Sequence, residues 1–150
     1  MTKYEVYEWL NRPTKLTYDI KAKTRLADEI KSGLLPTAIR YDKDKIVTSY
    51  GTNADPMAEI MARVEVIQKE IAELQLQRAI AMIELEEVFS RLDGDEGIVM
   101  SRYYLSRKKI DEIHRELHRT TRWVYKLRER GIEDVKNLLN CSQEFKKYSV

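Results

Sequence analysis

The sequence of 150 residues has little cysteine and little glycine, and it contains no long apolar run. Its single cysteine, Cys141, cannot form an intrachain disulfide or a thiolate zinc cage, and such low cysteine use predicts a cytosolic location. The five glycines form neither a GxGxxG nor a GxxxxGKS/T motif, so nucleotide-dependent catalysis has no support. The longest apolar run, 79–83, is far shorter than the roughly 20 residues of a membrane helix, so we expect no membrane partner.

Charged residues make up 35% of the chain, and they are divided unevenly along it. Residues 1–100 carry 14 Lys+Arg against 18 Asp+Glu, a net of −4, whereas residues 101–150 carry 13 against 7, a net of +6. Ten basic residues fall within 101–130: Arg102, Arg107, Lys108, Lys109, Arg115, Arg119, Arg122, Lys126, Arg128 and Arg130. A basic module beside an acidic arm favours a polyanion as partner, although a solvated basic surface would give the same composition.

The first third of the chain is predicted to hold one helix and a linker. Apolar residues recur at nearly helical spacing at Leu16, Ile20, Ala27, Ile30 and Leu34. This predicts a helix over 16–35 that stops at Gly33 and Pro36. Residues 36–56 have the composition of a loop, with a short strand-like stretch at 46–50. We therefore assign 1–56 to an N-terminal helix and linker.

The clearest pattern in the sequence is an apolar stripe within residues 57–92. Its positions alternate at spacings of four and three: Ile60, Val64, Ile67, Ile71, Leu74, Arg78, Ala81, Leu85, Val88 and Leu92. A mean spacing of 3.5 residues is typical of a coiled-coil seam. Asp55-Pro56 provides a helix start and Asp93-Gly94 a helix end, so we predict one long helix over about 57–92.

A helix of this length cannot cover its own stripe, and two arrangements would do so. The N-terminal helix can pack on it as an antiparallel hairpin, or two chains can associate. Because the N-terminal helix is only about half as long, we favour self-association, with both contacts present. We therefore predict a dimer with 57–93 as its oligomerisation helix. The predicted contact residues are Ile60, Val64, Ile67, Ile71, Leu74, Ala81, Leu85 and Val88.

Residues 98–140 are predicted to form a basic helix-turn-helix module, and 141–150 a tail. Helices are expected at 98–105 and 109–117, and a third helix begins near 121. Apolar positions in the last two helices are Ile113, Leu117, Val124 and Leu127, spaced 4, 7 and 3 apart. This spacing is typical of two helices that cross after a three-residue turn. The whole chain is therefore predicted to be all-α.

Burial of Val124 and Leu127 would turn the opposite side of the third helix outward. Its candidates for contact with base edges are Thr121, Arg122 and Lys126, because Arg and Lys donate to guanine and a threonine methyl contacts thymine. Candidates for contact with the DNA backbone are Arg107, Lys108, Arg119, Thr120, Tyr125, Arg128 and Arg130. Thr120 can also cap the helix by accepting a hydrogen bond from its first turn.

The stretch 104–139 resembles the DNA-reading region four of bacterial sigma factors. It resembles more closely the phage-encoded sigma-like late-gene regulators of the ArpU and RinA type. The residues that carry the resemblance are Arg102, Tyr103, Ile113, Leu117, Thr120, Val124 and Leu127. Segments 41–49 and 55–57 are similar to the middle of such proteins. The resemblance implies a phage or prophage transcription regulator that binds duplex DNA and contacts RNA polymerase.

The chain departs from that family pattern at three positions. His114 replaces a small alanine between the two helices, and Arg119 replaces an apolar turn residue. His118 stands where the family has a glycine in the left-handed turn, at a cost of about 1 kcal/mol.

Other chemical interpretations have less support. His114 and His118 lie four residues apart, but no third ligand is evident, so we predict no metal site. The acidic loop 93–97 lacks the ligand spacing of a calcium loop. No serine, cysteine or lysine lies in a recognisable nucleophile setting. We therefore expect no enzyme, no cofactor and no small-molecule substrate.

The predicted function is sequence-specific binding of double-stranded DNA by a dimeric transcription regulator in the cytoplasm of a bacterial host cell. Two alternatives stay open. A small terminase-like packaging subunit would also join a helix-turn-helix to an oligomerising helix, and ring assembly would distinguish it. A helical adaptor would use the basic module on an acidic protein, and it would not bind duplex DNA at modest salt.

Overall fold

The computed structural model describes residues 1–33 and 56–148, with side chains as far as 143. Every regular element within these ranges is a helix, which confirms the predicted all-α class. The predicted strand-like stretch at 46–50 and the family-like segment at 41–49 lie outside the described residues.

A short helix that the sequence analysis did not predict, α1, spans Lys3–Leu10. The Thr2 hydroxyl accepts a hydrogen bond from the Glu5 backbone N–H (3.3 Å), and the Glu5 carboxylate accepts one from the Thr2 backbone N–H (2.6 Å). The hydrogen bond from the Thr2 backbone lowers the pKa of Glu5. Val6 and Leu10 are buried one turn apart. This capping box and apolar pair explain why the segment is helical.

The next helix, α2, spans Arg12–Ser32 and begins before the predicted position 16. Pro13 does not interrupt it, because proline in the first turn replaces an N–H that has no partner within the helix. Arg12 fixes the junction with α1. Its guanidinium lies 5.0 Å from the centroid of the Trp9 ring and donates to the Glu84 carboxylate at 2.6 Å.

The longest helix, α3, spans Pro56–Ser90, and Pro56 is its first residue. Every position of the predicted stripe is buried or half-buried. Three of the predicted oligomerisation residues, Val64, Ala81 and Leu85, are at most 2% exposed within the single chain. Neighbouring side chains of the same chain already cover these three residues, and the contact between two chains stays a prediction.

The chain divides into two compact units, and each is described by itself. The smaller unit, Lys15–Gln77, contains most of α2 and the first part of α3. Among the described residues of this unit, Ala27 and Val64 are the buried apolar ones, and the Lys23 ammonium pairs with the Glu70 carboxylate between the two helices.

The larger unit contains Met1–Thr14 and the chain from Arg78 onward. Its main core combines side chains from α1, the end of α3 and the helices that follow: Val6, Leu10, Leu85, Phe89, Leu92, Met100, Tyr104, Ile132 and Val135. The Met1 ammonium donates to the Asn140 side-chain oxygen at 2.9 Å, so α1 is also joined to the last helix by a hydrogen bond.

Three further helices complete the larger unit. They are α4 (Asp95–Met100), α5 (Ile110–Leu117) and α6 (Thr121–Tyr148). A π-helical turn, Ser101–Leu105, continues α4, so the helix predicted at 98–105 begins earlier and ends in wider turns. Residues 141–148 continue α6, where the sequence analysis predicted a separate tail.

A second, smaller core lies between α4, α5 and the start of α6. It consists of Val99, Ile113, Val124 and Leu127, with Ile110, Leu117 and Trp123 packed around it. Val99 points into this core and the adjacent Met100 into the main core. The start of α6 is therefore held by apolar contacts on one side only.

Candidate nucleic-acid interface

The turn between α5 and α6 consists of three residues, His118, Arg119 and Thr120. His118 closes α5 in the left-handed conformation, with φ 53° and ψ 41°. The Thr120 hydroxyl accepts a hydrogen bond from the Trp123 backbone N–H at 3.2 Å. This bond satisfies one of the otherwise unpaired N–H groups at the start of α6. The turn therefore fixes where the outward face of α6 begins.

The first turns of α6 have one buried side and one exposed side. Val124 is fully buried and Leu127 is 8% exposed, as predicted. The three residues predicted to contact base edges, Thr121, Arg122 and Lys126, are all exposed. Arg122 and Lys126 lie on the side opposite Val124, and Thr121 lies beside them in the first turn. The structure therefore presents two cations and a threonine together on one accessible face, which we call the outward face.

The residues predicted to contact the DNA backbone lie in two places around this face. Arg119, Thr120 and Arg130 are exposed in the turn and along α6. Arg107 and Lys108 lie in the connection between the π-helical turn and α5, close to Tyr125 of α6. Positive charge thus borders the outward face along α6 and beside it.

Arg128 is the predicted backbone-contact residue whose surroundings differ most from expectation. Its guanidinium lies between two aromatic rings, 4.9 Å from the centroid of Tyr103 and 5.2 Å from that of Tyr125. Its Nε atom is buried and has no hydrogen-bond partner among the described residues. Arg128 therefore holds the two tyrosines by cation–π contact, a role that the sequence analysis did not predict.

A carboxylate on α5 forms ion pairs with two of the basic side chains and fixes their positions. Glu116 pairs with the Lys108 ammonium at 2.8 Å and with the Arg102 guanidinium at 3.2 Å. The hydrogen bond from Lys108 is the main cause of the lowered pKa of Glu116. Arg119 is ordered differently, because its guanidinium lies 5.2 Å from the centroid of the Trp123 ring.

An open groove of about 500 Å³ lies beside the outward face. Tyrosines 103, 104 and 125 form its aromatic wall, and residues 107–109 (Arg-Lys-Lys) form its cationic edge. Asn11 and Thr14, from the junction of α1 and α2, complete one end. We call this feature the tyrosine groove. Burial raises the pKa of Tyr104 to about 12.

Most of the tyrosine groove was not predicted from the sequence. The tyrosines and lysines gave a usable signal, because Tyr103-Tyr104, Arg107-Lys108-Lys109 and Tyr125 alternate aromatic with basic residues. Asn11 and Thr14 gave none, since only tertiary packing brings them to this place.

The two histidines lie in a different cavity, at the turn. The His114 Nδ1 atom is 3.2 Å from the Arg119 backbone oxygen, and His118 lies near Thr121. Among the described residues, no three side chains of His, Cys, Asp or Glu gather as a metal site would require. None of the described helices is both apolar enough and long enough to span a lipid bilayer.

Comparison with known protein families, with curated proteins and with solved structures found no match to this chain.

Proposed function

We propose that this protein is a double-stranded-DNA-binding transcription regulator of phage or prophage origin that works in the cytoplasm of a bacterial host. The start of α6 lies in a major groove, and the turn before it approaches the phosphates. The family resemblance of residues 104–139 suggested this function, and the accessible outward face of α6 supports it.

The single observation that carries the proposal is the exposure of Arg122 and Lys126 next to the fully buried Val124. A helix that hides its apolar side in its own small core and presents cations outward has the form that a duplex groove accepts. If this helix served only to pack the domain, these cations would contact only solvent.

Contacts to bases and contacts to phosphates divide between two groups of residues. Thr121, Arg122 and Lys126 lie where base edges would be reached. The phosphate contacts are assigned to the side chains that border this face: Arg107, Lys108, Arg119, Thr120, Tyr125 and Arg130. Arg128 supports Tyr125 by stacking. Because each phosphate contact releases bound cations, affinity should fall steeply with salt.

The test of this function is the substitution Arg122→Ala. Target DNA is first selected from a random pool, and binding of target and random duplexes is then compared by fluorescence anisotropy. A guanidinium that donates two hydrogen bonds to guanine contributes about 1–3 kcal/mol of discrimination, which Arg122→Ala should remove. Arg122→Lys keeps the charge without the paired donors and should restore only part of it.

The control is Lys3→Ala, which removes an exposed cation from α1 of the same unit. It should leave discrimination unchanged. Equal weakening on target and random DNA by Arg122→Ala would remove Arg122 from the base-reading group. Absence of duplex binding at modest salt would overturn the function and favour the helical adaptor.

Dimer formation and contact with RNA polymerase are part of the same proposal. Five of the eight predicted oligomerisation residues keep part of their surface exposed: Ile60, Ile67, Ile71, Leu74 and Val88. These five are the residues that a second copy would contact. Assembly into a ring of many protomers instead of a dimer would favour the packaging subunit.

A further inference from the structure

The tyrosine groove combines three kinds of group. Its wall is aromatic, its edge carries three consecutive basic residues, and its end supplies an amide and a hydroxyl. One carboxylate, Asp111, lies at the same edge, so the charge of the lining remains positive. This combination suits a ligand that is flat and apolar on its faces, polar at its rim and negative at one end.

The aromatic wall is held in place before any ligand arrives. Tyr125 is 48% exposed, and its ring is supported by the Arg128 guanidinium. The same guanidinium contacts Tyr103, which in turn meets Tyr104 edge to face at a centroid distance of 4.8 Å. A supported ring with an open surface is a stacking platform for another planar group.

The cationic edge is fixed by an unusual backbone. Arg107 is in the left-handed region, with φ 54°, which is costly for a residue with a side chain. The Lys108 backbone N–H donates to the Arg102 carbonyl at 3.0 Å, so the chain turns back on the π-helical turn. A strained residue beside a π-helical turn is a frequent feature of binding sites. Arg107 and Lys109 both line the groove beside this turn.

We propose that the tyrosine groove binds a single nucleotide, with its base stacked on Tyr125 and its phosphate against Arg107 and Lys109. Asn11 and Thr14 supply donors and acceptors for the rim of the base. A volume of about 500 Å³ is suited to a ligand of this size. An acidic peptide would use the cations but would leave the supported ring unused, so the nucleotide accounts for more of the site.

Two sources would present the same chemistry to this groove. One is a free nucleoside monophosphate, and the other is an unpaired nucleotide within a DNA strand. The inference goes beyond the proposed function, because reading a duplex requires neither an unpaired base nor an aromatic ring on which one stacks.

The first arm of the experiment uses the full-length protein and small probes. Adenosine 5′-monophosphate and ribose 5-phosphate are titrated separately, and binding is followed by NMR chemical shifts. The second arm compares a duplex with one unpaired adenosine to the same duplex with an abasic residue at that position, by fluorescence anisotropy. In both arms the phosphates are matched and only the base differs.

The expected result is a preference for the base-containing probe in at least one arm, of about tenfold for one stacked base. Tyr125→Ala should abolish the preference, and Tyr125→Phe should keep it.

Tyr4→Ala removes an exposed tyrosine from α1 and should change nothing. Lys109→Ala should weaken both probes of a pair equally, because it removes only the contact to phosphate.

A preference confined to the small probes identifies a free nucleotide as the ligand, and one confined to the duplexes identifies an unpaired nucleotide. Equal binding of both members of each pair, or no binding in either arm, overturns the inference. Its failure is distinguishable from that of the proposed function, since Arg122→Ala tests duplex discrimination and has no part in the small-probe arm.

Discussion

Within residues 1–33 and 56–148, two residues with side chains adopt a left-handed backbone, and each lies at a corner of the candidate interface. Arg107 precedes α5 and His118 follows it, with φ values of 54° and 53°. Only glycine adopts this conformation without steric strain, so the left-handed backbone of each residue lowers the stability of the folded state. Because both corners border the same helix, they set where α5 ends and where the outward face of α6 begins.

His118→Gly should increase the free energy of unfolding by about 1 kcal/mol, because glycine removes the strain of the left-handed turn. His118→Ala keeps the strain and serves as the matched control, with no gain expected. Urea unfolding followed by circular dichroism measures both variants. Equal stability of the two variants would mean that the turn carries no strain.

A second residue-scale prediction concerns Glu96 at the start of α4. Burial is the main cause of its raised pKa, and a hydrogen bond with Asp134 of α6 adds to it. The folded state therefore holds the proton more tightly than the unfolded chain. This contribution to stability is present at pH values below the ordinary pKa of glutamate and is lost as pH rises through the folded-state value.

Glu96→Gln should therefore be more stable than the original protein at pH 7, and the difference should shrink as the pH falls towards 4. Thermal unfolding between these pH values measures the effect. Glu86→Gln, an exposed position on α3, is the control and should show no such pH-dependent gain. A gain that persists unchanged at pH 4 would contradict this account of Glu96.

At the scale of elements, α6 packs against α4 so closely that a methyl group decides the fit. A Cβ atom on Gly131 would lie 2.6 Å from Met100 Cγ and 2.8 Å from Met100 Sδ. Met100 is fully buried in the main core, so it has little room to move. Glycine is therefore retained inside a helix, where alanine would otherwise be favoured by about 1 kcal/mol.

Gly131→Ala should lower the free energy of unfolding by about 1 kcal/mol, because overpacking against Met100 outweighs the gain in helix propensity. Urea unfolding is again the measurement. Asn137→Ala, at an exposed position of the same helix, controls for propensity alone and should cause no loss. Stability of Gly131→Ala equal to or above that of the original protein would show that α4 and α6 can separate without cost.

How far the sequence predicted these elements depended on whether the signal was local. The apolar periodicity predicted nearly the whole extent of α3. The spacing of Val124 and Leu127 predicted which side of α6 is buried. The predicted start of α2 was too late, because the apolar repeat begins at Leu16 and does not include the first turn around Pro13. The capping box at Thr2 and Glu5 was a local signal for α1 that the analysis overlooked.

What the sequence could not give was the partner of each apolar surface. The stripe of α3 predicted a seam, but no local pattern shows whether the same chain or a second one covers it. Asn11 and Tyr125 are likewise far apart in sequence, and only the packing of α1 against α6 brings them into one groove. Tertiary contacts therefore decide the site even where each helix is predictable.

At the scale of the whole molecule, the open question is how many chains assemble. Leu74→Asp introduces a charge on the half-buried stripe of α3, and it should shift a dimer towards monomer in analytical ultracentrifugation. Leu76→Asp is the matched control, because Leu76 is exposed on the opposite side of the same helix. Circular dichroism establishes that both variants remain folded.

A fall in mass with Leu76→Asp alone would place the contact between chains on the side opposite the stripe. An unchanged mass in both variants would contradict the proposed dimer contact, and it would leave the stripe to contacts within one chain. The two substituted positions are two residues apart in one helix. Their side chains therefore point to opposite sides, whereas the effect of aspartate on helix propensity is nearly the same at both.

The division of α6 into an inner and an outer side has a practical consequence. Val124, Leu127 and Gly131 maintain the packing, whereas Thr121, Arg122 and Lys126 make no contribution to either core. An engineer could exchange the outer residues as a cassette while the scaffold stays intact. Libraries randomised at those three positions would then vary the outward face on a constant architecture.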